Sequence, residues 1–162
     1  MNHIMHQLDF SLPAGLRVYA IGDIHGYLSA LDNMHEAIDA DLKQGAPPKK
    51  VMIVYMGDYV DRGPDSSGVL SRLVDYKKRD DGITRVFLTG NHEVGMLEFI
   101  RNSHSGGGEA WLGWGGFETL LSYGVPYILK TLYNGEGEEA ARRLKACIPA
   151  EHMDFLNTLE PC

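Results

Sequence analysis

The sequence predicts an α/β fold carried by a largely parallel sheet, and three observations predict it. Three short apolar runs, Val18–Ile21, Val51–Met56 and Val86–Leu88, are rich in β-branched and aromatic residues and alternate little, as strands covered on both faces do. The stretches between them carry apolar residues at helical spacing. Each run ends in a compact polar cluster flanked by glycine, a residue that permits sharp turns. Strand–helix–strand–helix–strand is two consecutive βαβ units, which implies parallel pairing and right-handed crossovers.

In chain order, residues 1–15 read as an N-terminal extension and 16–162 as one domain. After the first strand, Leu28, Leu31, Met34, Ile38 and Leu42 share a helix face. Lys43–Lys50, with Gly45, Pro47 and Pro48, is the loop into the second strand. Val69, Leu70, Leu73 and Val74 mark the second helix, with Pro64, Asp65 and Ser66 as its start signals. Ser103–Gly108 reads as an exposed loop. Beyond it the pattern is helical, around Phe117, Leu120 and Leu121, then over Glu136–Ala146 and Ala150–Leu159. After Leu88 only Pro126–Leu129 has a strand-like composition.

Composition narrows the function classes. The 162 residues include 15 Lys+Arg and 22 Asp+Glu, a formal charge of −7, and 44% are hydrophobic. That apolar share suits a folded core and argues against disorder. The acidic balance argues against general nucleic-acid binding, which needs a cationic surplus to displace counterions. No apolar run approaches the roughly 18 residues of a membrane span. The opening residues have neither the basic nor the apolar segment of a signal peptide. Cys147 and Cys162 make no disulfide framework, so a reduced, cytoplasmic protein is expected.

The chemistry lies in the three polar clusters: Gly22-Asp23-Ile24-His25-Gly26, Gly57-Asp58-Tyr59-Val60-Asp61-Arg62-Gly63 and Gly90-Asn91-His92-Glu93. In a parallel sheet, ligands bind outside the carboxyl ends of the strands, so all three face one crevice. Asp, His and Asn supply the oxygen and nitrogen donors of a metal centre. Asp23 and His25 are spaced to clamp one cation. Asp58 is placed to bridge it to a second, with Asn91 adding a donor. Such a pair of cations can activate a shared water and stabilise an in-line displacement.

These strings resemble the three N-terminal signatures of the calcineurin-like metallophosphoesterases, and within them the serine/threonine phosphoprotein phosphatases. The resemblance spans residues 16–100. It implies a metal-dependent phosphoric monoester hydrolase acting on a phosphorylated protein or small phosphoester, with two divalent cations (Mn, Fe or Zn). It implies metal ligation by Asp23, His25, Asp58 and Asn91, and phosphate contacts from Arg62, Asn91 and His92. It also implies that His92 is the general acid and Asp61 its orienting partner. Symmetrical dinucleoside tetraphosphatases tend to replace the acidic residue at position 61 and to end the third motif with Asp, so Asp61 and Glu93 favour the phosphatase branch. The tetraphosphatase reading stays as the alternative, and a weakly active phosphate-binding module as another.

The family fold packs two sheets face to face with helices outside, and this chain resembles its N-terminal half. Two further histidines and a second phosphate-binding arginine implied by the resemblance do not appear. The second cation site is therefore expected to be incomplete, the domain truncated on its C-terminal side, and an uncovered sheet face available for self-association. Outside the motifs, His35 reads as a surface or packing residue and His3, His6, His104 and His152 as solvated. Glu93 reads as support for a helix start. Trp111, Trp114 and Phe117 read as packing, with the site entrance as their alternative place.

Overall fold

β1 (Leu16–Ile21), β2 (Lys50–Tyr55) and β3 (Ile83–Phe87) form a parallel sheet in the order β1-β2-β3. The structure is a computed structural model that describes residues 11–125 and 136–161. The strand expected at Pro126–Leu129, and His3 and His6 of the extension, lie outside the described residues. Ile21 stands opposite Tyr55, and Tyr55 opposite Phe87, so the three strands end level and release their polar clusters at one edge. Each strand begins earlier than its apolar run, and in β1 and β3 a polar residue in the added stretch finds a partner. Arg17 bonds Asp41 at 3.2 Å, and Arg85 bonds Asp81 at 2.6 Å.

The crossovers are α1 (Leu28–Leu42) and α2 (Ser66–Lys78). Asp65 starts α2 as expected, its carboxylate accepting the Gly68 N–H at 2.8 Å. Leu31 and Ile38 of α1 are buried with Val69, Leu70, Leu73 and Val74 of α2, together with Ile21, Ile53, Tyr55 and Phe87 of the sheet. Full burial of one such aliphatic side chain stabilises the fold by about 1.5–3 kcal/mol. Met34 departs from the expected apolar face and is exposed. The opposite sheet face carries Val18, Ala20, Met52, Val54 and Val86, and is less completely covered among the described residues.

After β3 come α3 (Asn91–Arg101), α4 (Gly106–Trp111), a kinked turn at Leu112–Gly116, α5 (Phe117–Ser122), α6 (Glu136–Cys147) and α7 (Ala150–Asn157). The loop expected at Ser103–Gly108 is instead the entry to α4. Ser105 caps it by accepting the Gly108 N–H at 2.9 Å, and that cap outweighs the poor helix propensity of glycine. His152 is a second correction. It is buried rather than solvated, held between the Tyr123 hydroxyl (2.7 Å) and Ser71 Oγ (3.0 Å). Beyond α7 the chain returns to β3. The Glu160 N–H donates to the Phe87 carbonyl at 2.9 Å, and its carbonyl accepts the Thr89 N–H at 2.8 Å, a parallel bridge that local sequence gave no sign of.

Candidate active site

Backbone strain in this molecule collects at the strand ends. His25, Asp58, Asp61 and Arg62 have φ of 46°, 53°, 75° and 65°, and they are the non-glycine residues with positive φ among those described. Such conformations cost on the order of 1 kcal/mol each and persist only where the surroundings hold them. Here every strained N–H is held. His25 donates to the Asp58 carbonyl at 2.9 Å and Arg62 to the Gly115 carbonyl at 3.1 Å. Asp58 donates to Glu93 Oε2 at 2.9 Å, and Asp61 to Thr119 Oγ1 at 2.9 Å and Ser66 Oγ at 3.0 Å.

Glu93 does more than support the start of α3. Its buried carboxylate accepts the N–H groups of Gly90, Asp58, Tyr59 and Val60, at 2.9, 2.9, 2.8 and 3.3 Å. One side chain thereby ties the third motif to the backbone of the second. Burial raises its pKa, while those backbone donors pull the other way.

Beside this clamp lies a set of donors suited to a cation. His25 Nδ1 donates to the Val60 carbonyl at 2.9 Å, which leaves Nε2 as a lone pair. That Nε2 is buried and has no hydrogen-bond partner, and an orphaned buried nitrogen needs an explanation. Its surroundings offer one. Ligand atoms of His25, Asp58 and His92 lie within 4.8 Å of one another, and Asp23 Oδ2 stands 3.7 Å from His25 Nε2. An imidazole oriented by a carbonyl behind it, facing carboxylates, is the donor set of a divalent-cation site. Asn91 opens α3 next to His92 and is exposed.

On the other side of Asp58 runs a chain of polar side chains. Arg62 Nη2 lies 3.1 Å from His92 Nε2, and His92 Nδ1 lies 2.7 Å from Asp61 Oδ2. Arginine can only donate, so His92 Nε2 accepts and Nδ1 carries the proton toward Asp61. Asp61 in turn accepts the Thr119 hydroxyl at 2.7 Å. Since Thr119 has spent its proton there, Ser66 donates to Thr119 across 2.8 Å. Burial pushes the Asp61 carboxyl up to about 7, against the Thr119 hydroxyl and nearby Trp111 and His25, which lower it.

The structure thus gathers His25, Asp58, Asp61, Arg62 and His92, with Asp23 at the rim and Asn91 at the adjoining helix start. Thr119 and Ser66 belong to the same neighbourhood and were not singled out for it by sequence, and Trp114 takes the alternative place considered for it, at the site. Trp111 packs in the core as expected, whereas Trp114 is exposed at the site, its ring 5.9 Å from the His92 ring. No helix among the described residues is long and apolar enough to cross a membrane.

The level strand ends of a parallel sheet thus bring cation donors together with an arginine–histidine–aspartate chain. The family model of the calcineurin-like phosphoesterases matches residues 16–155, and the chain belongs to that family. It is similar to a symmetrical bis(5'-nucleosyl)-tetraphosphatase of Wigglesworthia glossinidia brevipalpis, with 40% identity over 80 residues, 49% of this chain and 25% of the relative. Serine/threonine-protein phosphatase 1 of Salmonella typhimurium is 36% identical over 88 residues, covering 54% of this chain and 35% of the relative. A PP2A-like serine/threonine-protein phosphatase of Candida albicans is 32% identical over 102 residues, covering 58% and 22%. The chain spans about a quarter to a third of the length of these relatives.

Proposed function

We propose that these residues belong to a phosphoric monoester hydrolase site whose substrates are phosphorylated serine or threonine side chains. The observation that carries the reading is the Arg62–His92–Asp61 chain lying beside the unpartnered His25 Nε2 and Asp58. Asp23, His25 and Asp58 would hold a divalent cation of the Mn, Fe or Zn class, with Asp58 and Asn91 toward a second. Such cations, when bound, supply charge neutralisation and an activated water.

The remaining work falls to the chain's own groups. Arg62 turns its guanidinium from His92 to the phosphoryl oxygens, where two parallel charge-assisted bonds orient the ester. His92 keeps its Nδ1–H on Asp61, so its protonated Nε2 faces the leaving oxygen and transfers the proton there. Thr119 and Ser66 hold Asp61, and Glu93 holds the loop that carries Asp58.

Asp61 and Glu93 support the phosphoprotein branch, while the 40% identity to a symmetrical tetraphosphatase supports the second reading, hydrolysis of dinucleoside polyphosphates. The two are separated by comparing rates on a phosphoserine peptide and on diadenosine tetraphosphate with added Mn(II). Faster cleavage of the peptide is expected; faster cleavage of the nucleotide transfers the conclusion to the second reading. Mn-dependent hydrolysis that His92→Asn abolishes would contradict a mere phosphate-binding module.

A further inference from the structure

One exposed aromatic ring at this site has no part in the chemistry above. Trp114 is 40% exposed, whereas Trp111, one helical turn earlier, is fully buried. Three features hold it beside the reacting groups. Its ring meets the His92 ring in a T-shaped contact, with centroids 5.9 Å apart and planes at 64°. Its backbone carbonyl accepts Arg62 Nε at 3.4 Å. Its far edge passes over Gly95 of α3, where an added Cβ would stand 3.1 Å from Trp114 Cζ3 and 2.9 Å from Trp111 Cδ1. Glycine is disfavoured inside a helix, and here its lack of a side chain makes room for two indoles.

The local backbone presents the ring in the same direction. Leu112–Gly116 is a kink between two helices, and Gly115 within it has φ of +110°. The Gly115 carbonyl accepts the Arg62 N–H, so one irregular turn positions both the indole and the arginine. An exposed indole fixed on two sides is a preorganised surface for another planar ring.

We infer that Trp114 is a specificity-determining wall of the site that extends its range, beyond phosphoserine and phosphothreonine, to phosphate monoesters carrying an aromatic ring directly on the ester oxygen, which gain affinity by stacking on the indole. The inference rests on the phosphoryl-binding reading of Arg62 and His92. A ring stacked on this indole lies next to His92 and hence next to the ester oxygen that His92 protonates. A nucleobase is held a sugar away from that oxygen, and a serine or threonine side chain offers no π-face.

The test is equilibrium binding of non-hydrolysable analogues to the full chain, read by calorimetry and by indole emission. The probes are benzylphosphonate, butylphosphonate, adenosine 5'-monophosphate and inorganic phosphate. Ring stacking corresponds to roughly 3- to 10-fold in affinity, so benzylphosphonate is expected to bind that much more tightly than butylphosphonate. Trp114→Ala should erase the difference while leaving the affinity for inorganic phosphate unchanged, and Trp114→Phe should keep part of it. A benzyl preference that persists in Trp114→Ala overturns the assignment. So does a larger Trp114-dependent gain for the nucleotide than for the benzyl compound. Failure of all four probes to bind removes the phosphoryl-binding reading, whereas phosphate binding without a benzyl preference removes this inference alone.

Discussion

Two buried histidines, His35 in the helix layer and His25 at the sheet edge, are nearly equally hidden from solvent and differ in what their nitrogens meet. His35 Nε2 lies 2.9 Å from the Tyr55 hydroxyl, and its ring stacks on Tyr76 with centroids 3.9 Å apart. Burial, aided by Arg85 and Arg79 and opposed by Asp39 and Asp32, lowers its pKa to about 4. It is a neutral packing group. His25 has an equally firm bond behind it, from Nδ1 to the Val60 carbonyl, yet its Nε2 faces Asp58 without a hydrogen-bond partner. Its backbone is strained as well, at φ 46°. A buried polar ring with its bonds made contributes to folding, whereas one aimed at carboxylates with a bare lone pair is built for a ligand.

Substitutions should sort along this contrast. The largest effects belong to the site. His92→Asn is expected to lower kcat on a phosphoserine peptide by roughly 10²- to 10⁴-fold, with melting temperature little changed; near-normal turnover would remove His92 as the proton donor. Next comes Glu93→Ala, which strands the buried N–H groups of Asp58, Tyr59, Val60 and Gly90. A loss of about 3 kcal/mol is expected in urea unfolding, together with weaker cation binding. Unchanged stability would mean that the clamp carries no weight.

The effect of His35 is smaller and depends on pH. Its folded pKa of about 4 lies below the ordinary histidine value of 6.5, so the unfolded chain binds more protons between those values. Its contribution is therefore complete above pH 6.5 and drains away as pH falls toward 4, the loss reaching about 2.5 kcal/mol at pH 4.5. Comparing the wild type with His35→Gln at pH 7 and 4.5 should show the wild type losing more on acidification; equal losses would contradict the burial argument. The smallest change is Tyr123→Phe, which removes the hydroxyl on His152 Nδ1 and should cost about 1 kcal/mol while leaving phosphate affinity intact. A shift in phosphate affinity would tie the α7 contact to the site after all.

Much of the site was legible because its signals are local. A strand end followed by Asp23-Ile24-His25, or by Asp58 through Arg62, places donors at a sheet edge whatever the rest of the chain does. The three strands were legible for the same reason, to within a few residues at their starts. What escaped depends on distant partners. Thr119 meets Asp61 from 58 residues away, and Glu93 reaches Asp58 across 35. No spacing rule links such positions. His152 looked solvated because its partners, Ser71 and Tyr123, lie far off in sequence. The glycine run at the start of α4 looked like a loop because one serine cap and packing against α3 override propensity there. Trp114 was readable as an aromatic but not as a neighbour of His92, since the turn that places it depends on a single left-handed glycine.

On the proposed reading, the orphaned His25 nitrogen and Asp58 form a cation site coupled to the Arg62–His92 pair. The direct test is calorimetric titration of Mn(II) into the chain and into Asp58→Asn, with phosphoserine-peptide hydrolysis recorded on the same samples. The wild-type chain is expected to bind Mn(II), and Asp58→Asn to lose cation affinity and turnover together. Unchanged Mn(II) affinity in Asp58→Asn would contradict that reading.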